Sequence, residues 1–196
     1  MPALEITIFA FATCATPGPV NIVASLLGSQ NGIKVSIPFV LGATLGLSFV
    51  ILVASFGVSQ ILKTNETLAN GLTLIGSIYL LYLAFLMSQK NSTIEIDSET
   101  NQTAGFYQGA ILQLLNPKAW LVSMSGLAMY LNASENSMLT FYILMFFIAC
   151  FFSVFIWVCL GSLIATKLKS THLTIFNRSM AALLIILVFC NLSNML

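Results

Sequence analysis

The chain has 196 residues, of which 58% are hydrophobic and 7% charged, and its formal net charge is +1. A soluble domain carries about 25% charged residues, so seven basic and six acidic side chains leave too little charge to solvate a globule of this length. The few Lys and Arg are scattered, which excludes a nucleic-acid interface. Cys14, Cys150, Cys159 and Cys190 lie in apolar stretches without framework spacing, which argues against a secreted disulfide scaffold. An integral membrane protein remains.

The charges punctuate the chain. Long stretches without Asp, Glu, Lys or Arg run over 6–33, 35–62, 67–89, 136–166 and 179–196, and 100–134 is interrupted only by Lys118. A spanning helix needs about 20 apolar residues, so the reading is six spans, near 5–29, 36–62, 68–88, 105–131, 139–165 and 176–195. Unbroken runs such as Leu183-Leu184-Ile185-Ile186-Leu187-Val188 lack the alternation of a barrel strand, and the fold class expected is an all-α membrane protein. The first segment has no basic leader and carries Glu5, so it is read as a permanent span rather than a signal peptide.

In span one the sequence Thr16-Pro17-Gly18-Pro19-Val20-Asn21 interrupts the apolar run, and in span four Asn116-Pro117-Lys118-Ala119-Trp120 does the same. A proline inside a helix removes one hydrogen bond and clashes with the preceding turn, so both spans are predicted to be broken. Pro17 and Pro117 stand 100 residues apart, each about twelve residues into its span. Three spans per half place the halves in opposite orientations, which predicts two inverted three-helix repeats: one over about 1–90, the other over about 105–196, joined by the polar connector 89–104 in a single membrane domain. Broken helices at matching places in inverted halves are the sequence pointer to a transporter binding site.

Polar residues gather at that depth. Thr13, Thr16, Asn21 and Ser25 belong to span one, and Gln113 and Asn116 share a helix face in span four. Lys118 is the one charge inside a predicted span, and a mid-membrane ammonium must face the interior or a cavity. Two roles stand open for it, holding a substrate carboxylate or capping carbonyls freed by the break. The candidate substrate-binding set is therefore Thr16, Pro17, Gly18, Pro19, Asn21, Gln113, Asn116, Pro117 and Lys118. No Asp, Glu or His falls within the predicted membrane core, so no metal site and no cofactor is expected, and a neutral, zwitterionic substrate suits the interior better than a cationic one. No catalytic constellation is present, and no enzyme is expected.

The remaining motifs read as packing. Gly42 and Gly46 form G-x-x-x-G in span two, a close helix contact either within the chain or between copies in a homodimer. Gly71, Gly76 and Ser77 give span three a small face, Tyr79 and Tyr82 reach a cavity or the lipid, and Asn177 and Arg178 anchor the start of span six. The loops near 30–35, 89–104 and 166–178 hold Lys34, Lys90, Lys167, Lys169 and Arg178, against Lys63 alone on the other side. The positive-inside rule then places those loops in the cytoplasm and both termini outside it, in the periplasm of a bacterial inner membrane.

Pro17-Gly18-Pro19 within Ala15–Asn21, together with Gly105-Phe106 leading into Leu114-Leu115-Asn116-Pro117-Lys118-Ala119, resembles the LysE/RhtB family of bacterial amino-acid exporters. The span pattern matches over the whole chain, and the span-four and span-six regions are most similar to the branch that exports cysteine and O-acetylserine. The resemblance implies a six-span protein of two three-span halves that exports amino acids or small derivatives by alternating access, driven by the proton motive force. The chain departs from the family pattern at Val20, where a polar residue often follows the second proline, and at Gly46-Leu47-Ser48, where some members carry an acid. The second difference implies a neutral substrate such as cysteine, O-acetylserine, homoserine or threonine. Two other classes explain part of the pattern: a membrane thiol–disulfide electron carrier, for which Cys14 is placed but its repeat equivalent is Leu114, and a non-transporting assembly subunit, which leaves Lys118 beside a matched break without a role.

Overall fold

A computed structural model describes residues 2–58, 65–88, 101–130, 136–167 and 170–193. Lys63, Lys90, Lys169 and most of the connector 89–104 lie outside them. The described residues form helices and no strand. In chain order these are α1 (Pro2–Ala15), α2 (Pro19–Val53) ending in a π-helical turn (Ala54–Val58), α3 (Glu66–Ser88), α4 (Asn101–Leu114), α5 (Pro117–Tyr130), α6 (Asn136–Lys167) and α7 (Ser170–Ser193).

The first break is where the prolines predict it. α1 ends at Ala15, Thr16-Pro17-Gly18 is non-helical, and α2 starts with Pro19 in its first turn, the position at which a missing N–H costs nothing. The second break is shorter, at Leu115-Asn116, and Pro117 opens α5 in the same way. α2 is itself two helices joined at Gly32, whose φ of 76° and ψ of 177° interrupt the helical path. Val20 and Leu47 would stand about 40 Å apart along a straight helix, yet both border one small cavity, so the chain reverses at Gly32. Glycine reaches that φ without the Cβ clash other residues meet.

Bulky apolar residues cover the outside of the helices, and small residues lie at the closest helix contacts. Ile37, Leu41, Leu45, Phe49 and Leu52 form an exposed stripe along the second arm of α2, while Gly42, Ala43 and Gly46 are buried on its other side. Leu144, Phe152, Ile156, Leu160 and Leu163 make the same kind of stripe on α6. An apolar surface of this extent needs lipid rather than water, and association through small residues is how helices pack where the solvent is itself apolar. Two stretches, Pro19–Gly57 and Ser137–Lys167, are long and apolar enough to cross a membrane. Hydroxyls are quenched within their own helices, Thr44 Oγ1 donating to the Val40 carbonyl at 2.8 Å and Ser123 Oγ to that of Ala119 at 2.7 Å, as an environment without water requires.

The packing between the halves is reciprocal. The first arm of α2 lies backbone to backbone on α6: a Cβ on Gly28 would come within 2.0 Å of the Val158 oxygen, and one on Gly161 within 1.8 Å of the Ser25 oxygen. The second arm of α2 meets α4 in the same manner, a Cβ on Gly42 falling 1.9 Å from the Phe106 oxygen and one on Gly109 2.3 Å from that of Phe39. Thus the helix after the first break packs on the fifth predicted span, and the helix before the second break packs on the second. α3 and α7 pack on each other.

Candidate functional site

Both helix breaks open onto one cavity of about 50 Å³, room for about four water molecules. Its wall includes Gly18 and Asn21 from the first break and Gln113, Asn116 and Lys118 from the second. Thr16, Pro17, Pro19 and Pro117 do not line it. Pro17, Pro19 and Pro117 make the breaks, and Thr16 reaches the site through a hydrogen bond to Lys118. Tyr79 and Tyr82 stack on each other at 6.5 Å between centroids, away from the cavity.

The backbone groups released by the breaks are satisfied by side chains. Asn21, buried at 5% exposure, donates through Nδ2 to the Cys14 carbonyl at 2.8 Å and the Thr16 carbonyl at 3.0 Å. Ser153 of α6 donates to the same Cys14 carbonyl at 2.7 Å. At the second break, Trp120 Nε1 donates to the Leu114 carbonyl at 2.8 Å. Cys14 and Leu114 are 100 residues apart, so the corresponding carbonyl of each break is capped by a side chain a few residues downstream. Asn116 caps α5, its Oδ1 accepting from the Lys118 N–H at 3.1 Å while its Nδ2 donates to Gln113 Oε1 at 3.2 Å. Gln113 Nε2 in turn donates to Cys150 Sγ at 3.5 Å. α3 supports this break from behind, where a Cβ on Gly76 would come within 2.1 Å of the Leu115 oxygen.

Lys118 joins the two breaks. Its Nζ donates to the Thr16 carbonyl at 3.1 Å and to Thr16 Oγ1 at 2.6 Å, across 102 residues of sequence. Both acceptors are neutral, and no acid or histidine is among the described lining residues. The ammonium is therefore hydrogen-bonded without a counter-ion among the described residues. α5 begins beside it, and α2 begins at Gly18, which supplies no side-chain cap. Two helix N-termini, each carrying about half a positive charge, and one ammonium thus border the same cavity. That arrangement can hold an anionic group such as a carboxylate.

The remaining wall is mostly apolar: Val20, Leu47, Ala119, Val122, Phe146 and Val154, with Thr13, Cys14 and Cys150. Val20, Leu47, Ala119, Val122, Phe146, Val154 and Cys150 are not apparent from the sequence as site residues. For Cys14 a signal existed in its place two residues before the break. For Cys150 the signal was weak: with Ser153 it forms a polar pair three apart in an otherwise apolar run. All four cysteines are free thiols.

Comparison with known proteins agrees with the motifs. The family profile of the LysE type translocator matches residues 11–194. The chain belongs to the LysE type translocator family. As a member of that family it is a membrane transporter and not an enzyme. It is 27% identical over 133 residues to the leucine efflux protein of Enterobacter sp. (strain 638), covering 65% of this chain and 63% of that one. It is 25% identical over 122 residues, 62% of each chain, to the cysteine/O-acetylserine efflux protein of Salmonella choleraesuis. An uncharacterized membrane protein of Haemophilus influenzae is 27% identical over 150 residues, 71% of each chain. The matches to the two efflux proteins thus span less than two thirds of those relatives. No solved structure matches the chain. Nothing in these matches supports the electron-carrier or assembly-subunit readings.

Proposed function

We propose that this LysE-family translocator exports small neutral amino acids or their derivatives across a bacterial inner membrane by alternating access, with the substrate held where the two helix breaks meet. The observation that carries the reading is the cavity itself: two breaks 100 residues apart in sequence converge on it and are tied together by Lys118 and Thr16. The substrate carboxylate takes the place of Thr16 on Lys118, near the N-termini of α2 and α5. Its ammonium group is met by carbonyl oxygens and the amide oxygens of Asn116 and Gln113. The side chain enters the wall formed by Leu47, Phe146 and Val154, which offers no partner to a charged side chain. Relatives bear efflux names, for leucine and for cysteine and O-acetylserine, and both names fit a small neutral substrate leaving the cell.

The architecture proposed is six spans in two inverted three-helix repeats. α1 with the first arm of α2 is span one, the second arm of α2 is span two, and α3 is span three. α4 with α5, then α6, then α7 repeat the series. The reciprocal glycine contacts, span one on span five and span four on span two, support it, because an in-plane two-fold axis exchanges those pairs. The short segments bearing Lys34 and Lys167 lie at the same end of the bundle, in keeping with a cytoplasmic face there and with both termini in the periplasm.

The test is transport by purified protein in liposomes loaded in turn with labelled leucine, cysteine, O-acetylserine, threonine and lysine. Export of a neutral compound and not of lysine is expected. Lys118→Met, at unchanged protein level, is expected to lower it by at least about tenfold, the loss that accompanies removal of a charged hydrogen-bonding partner. Equal transport by that variant would remove the carboxylate role.

A further inference from the structure

The cavity is closed by different means at its two ends. Toward the end where α4 begins and α2 reverses, closure is made by backbone: Gly28 against Val158, Gly161 against Ser25, Gly42 against Phe106 and Gly109 against Phe39, with no room for a single methyl group. Such contacts separate only if whole helices move apart. Toward the other end, where α1 and α6 begin and α5 finishes, closure is made by aromatic side chains.

Phe146 lines the cavity, and the fully buried Tyr142 lies one turn farther out with its ring 4.6 Å from that of Phe146. Phe9 of α1 meets Phe146 edge-on at 6.0 Å and Tyr130 of α5 at 5.7 Å. These rings come from three different helices, α1, α5 and α6. Gly126 makes the socket: a Cβ there would lie 2.0 Å from the Tyr142 hydroxyl and 2.9 Å from the Phe9 ring. A single long hydrogen bond, Tyr142 Oη to the Val122 carbonyl at 3.4 Å, is the one polar tie that these rings make among the described residues. Side chains change rotamer far faster than packed helices separate, so this end has a way to open that the glycine end lacks.

We propose that Phe9, Tyr142 and Phe146 form a gate between the cavity and the face of the membrane at which α1 begins, with Gly126 as the socket that lets the gate close. The inference rests on the transporter reading above, whose orientation makes this the outer, releasing face. Tyr142 swings out of the Gly126 socket, Phe146 follows, and substrate passes while the glycine contacts keep the opposite end shut.

The test uses thiols the cavity already holds. In a background of Cys159→Ser and Cys190→Ser, Cys14 and Cys150 report access to the cavity by a membrane-impermeant maleimide, added to oriented liposomes on the face where the chain begins. Labelling rate follows the fraction of time the gate is open, so Phe9→Ala and Tyr142→Ala are expected to raise it by about tenfold or more from that face and not from the other. Gly126→Ala does the same by unseating the phenol. If Gly126→Ala fails to accumulate, Tyr142→Phe carries the test through loss of the bond to Val122 and a rise of about threefold. Phe152→Ala, on the exposed side of α6, leaves labelling unchanged. Unchanged labelling in the Phe9 and Tyr142 variants, or a rise confined to the opposite face, overturns the gate. Labelling needs no substrate, so a protein that labels as expected but moves no amino acid would leave the gate standing and remove the substrate reading.

Discussion

Asn21 shows how much depends on one amide. Its Nδ2 serves two carbonyls of the first break, and a buried acceptor left without a partner costs about 1–3 kcal/mol. Asn21→Leu is expected to lower the melting temperature in detergent by about 2–4 °C for each kcal/mol lost. Ser153→Ala has the smaller effect, because Asn21 still caps the Cys14 carbonyl. Trp120→Phe removes the corresponding cap on Leu114 and is expected to match Asn21→Leu in direction. Lys118 differs from these in kind. Its role divided in two on sequence grounds, substrate partner or backbone cap, because a span position says nothing about what lies across the cavity. Its hydrogen bond to the Thr16 carbonyl makes it a backbone cap, and under the proposed function the same ammonium is the one a carboxylate would claim.

At the scale of elements, glycines decide which helices touch. The Gly28–Val158 and Gly161–Ser25 approaches put the backbones of α2 and α6 in direct contact. Gly28→Val or Gly161→Val is expected to abolish accumulation of monodisperse protein, read by size-exclusion profile. Gly71→Ala has nothing within 4 Å of the added methyl and is expected to match the parent. Gly32→Ala places a side chain at φ 76°, a strain of about 1–3 kcal/mol, and is expected to lower the melting temperature without changing the fold. The G-x-x-x-G of Gly42 and Gly46 was open on sequence grounds between a contact inside the chain and one between copies. Gly42 lies on Phe106 and Gly46 on Ala110, so the motif joins the second arm of α2 to α4. The breaks were readable in advance because proline acts locally, and the reversal at Gly32 falls in the loop near 30–35 that Lys34 marks between two charge-free stretches.

For the whole molecule, the proposed six-span arrangement makes a topological prediction. A cysteine substituted for Ser98, in the connector, is expected to react with an impermeant thiol reagent only from the face opposite the one that exposes a tag on residue 1. Labelling of both from one face would require an even number of spans between them and sink the inverted repeat. Lipid contact has its own test: Leu45→Lys, on the exposed stripe of α2, is expected to impair insertion, since a mid-membrane lysine costs about 2.5–3.5 kcal/mol, while Lys118 is tolerated because Thr16 receives it.

The properties that can be counted along a line are legible before any folding is considered. Charge-free length makes the chain a membrane protein, proline makes the breaks at Thr16–Gly18 and Leu115–Asn116, and motif residues around Pro17 and Pro117 point to the family. The tertiary structure alone decided what meets across distance. It brought Lys118 to Thr16, Ser153 to the Cys14 carbonyl, Cys150 to Gln113, and Phe9, Tyr142 and Phe146 into one cluster above the cavity. The physical reason is that apolar helices in an apolar solvent carry no amphipathic stripe to announce an inner face. Which side of α6 holds Tyr142, Phe146 and Cys150 is set by where glycines let the backbones close, and that exists only once the helices are packed.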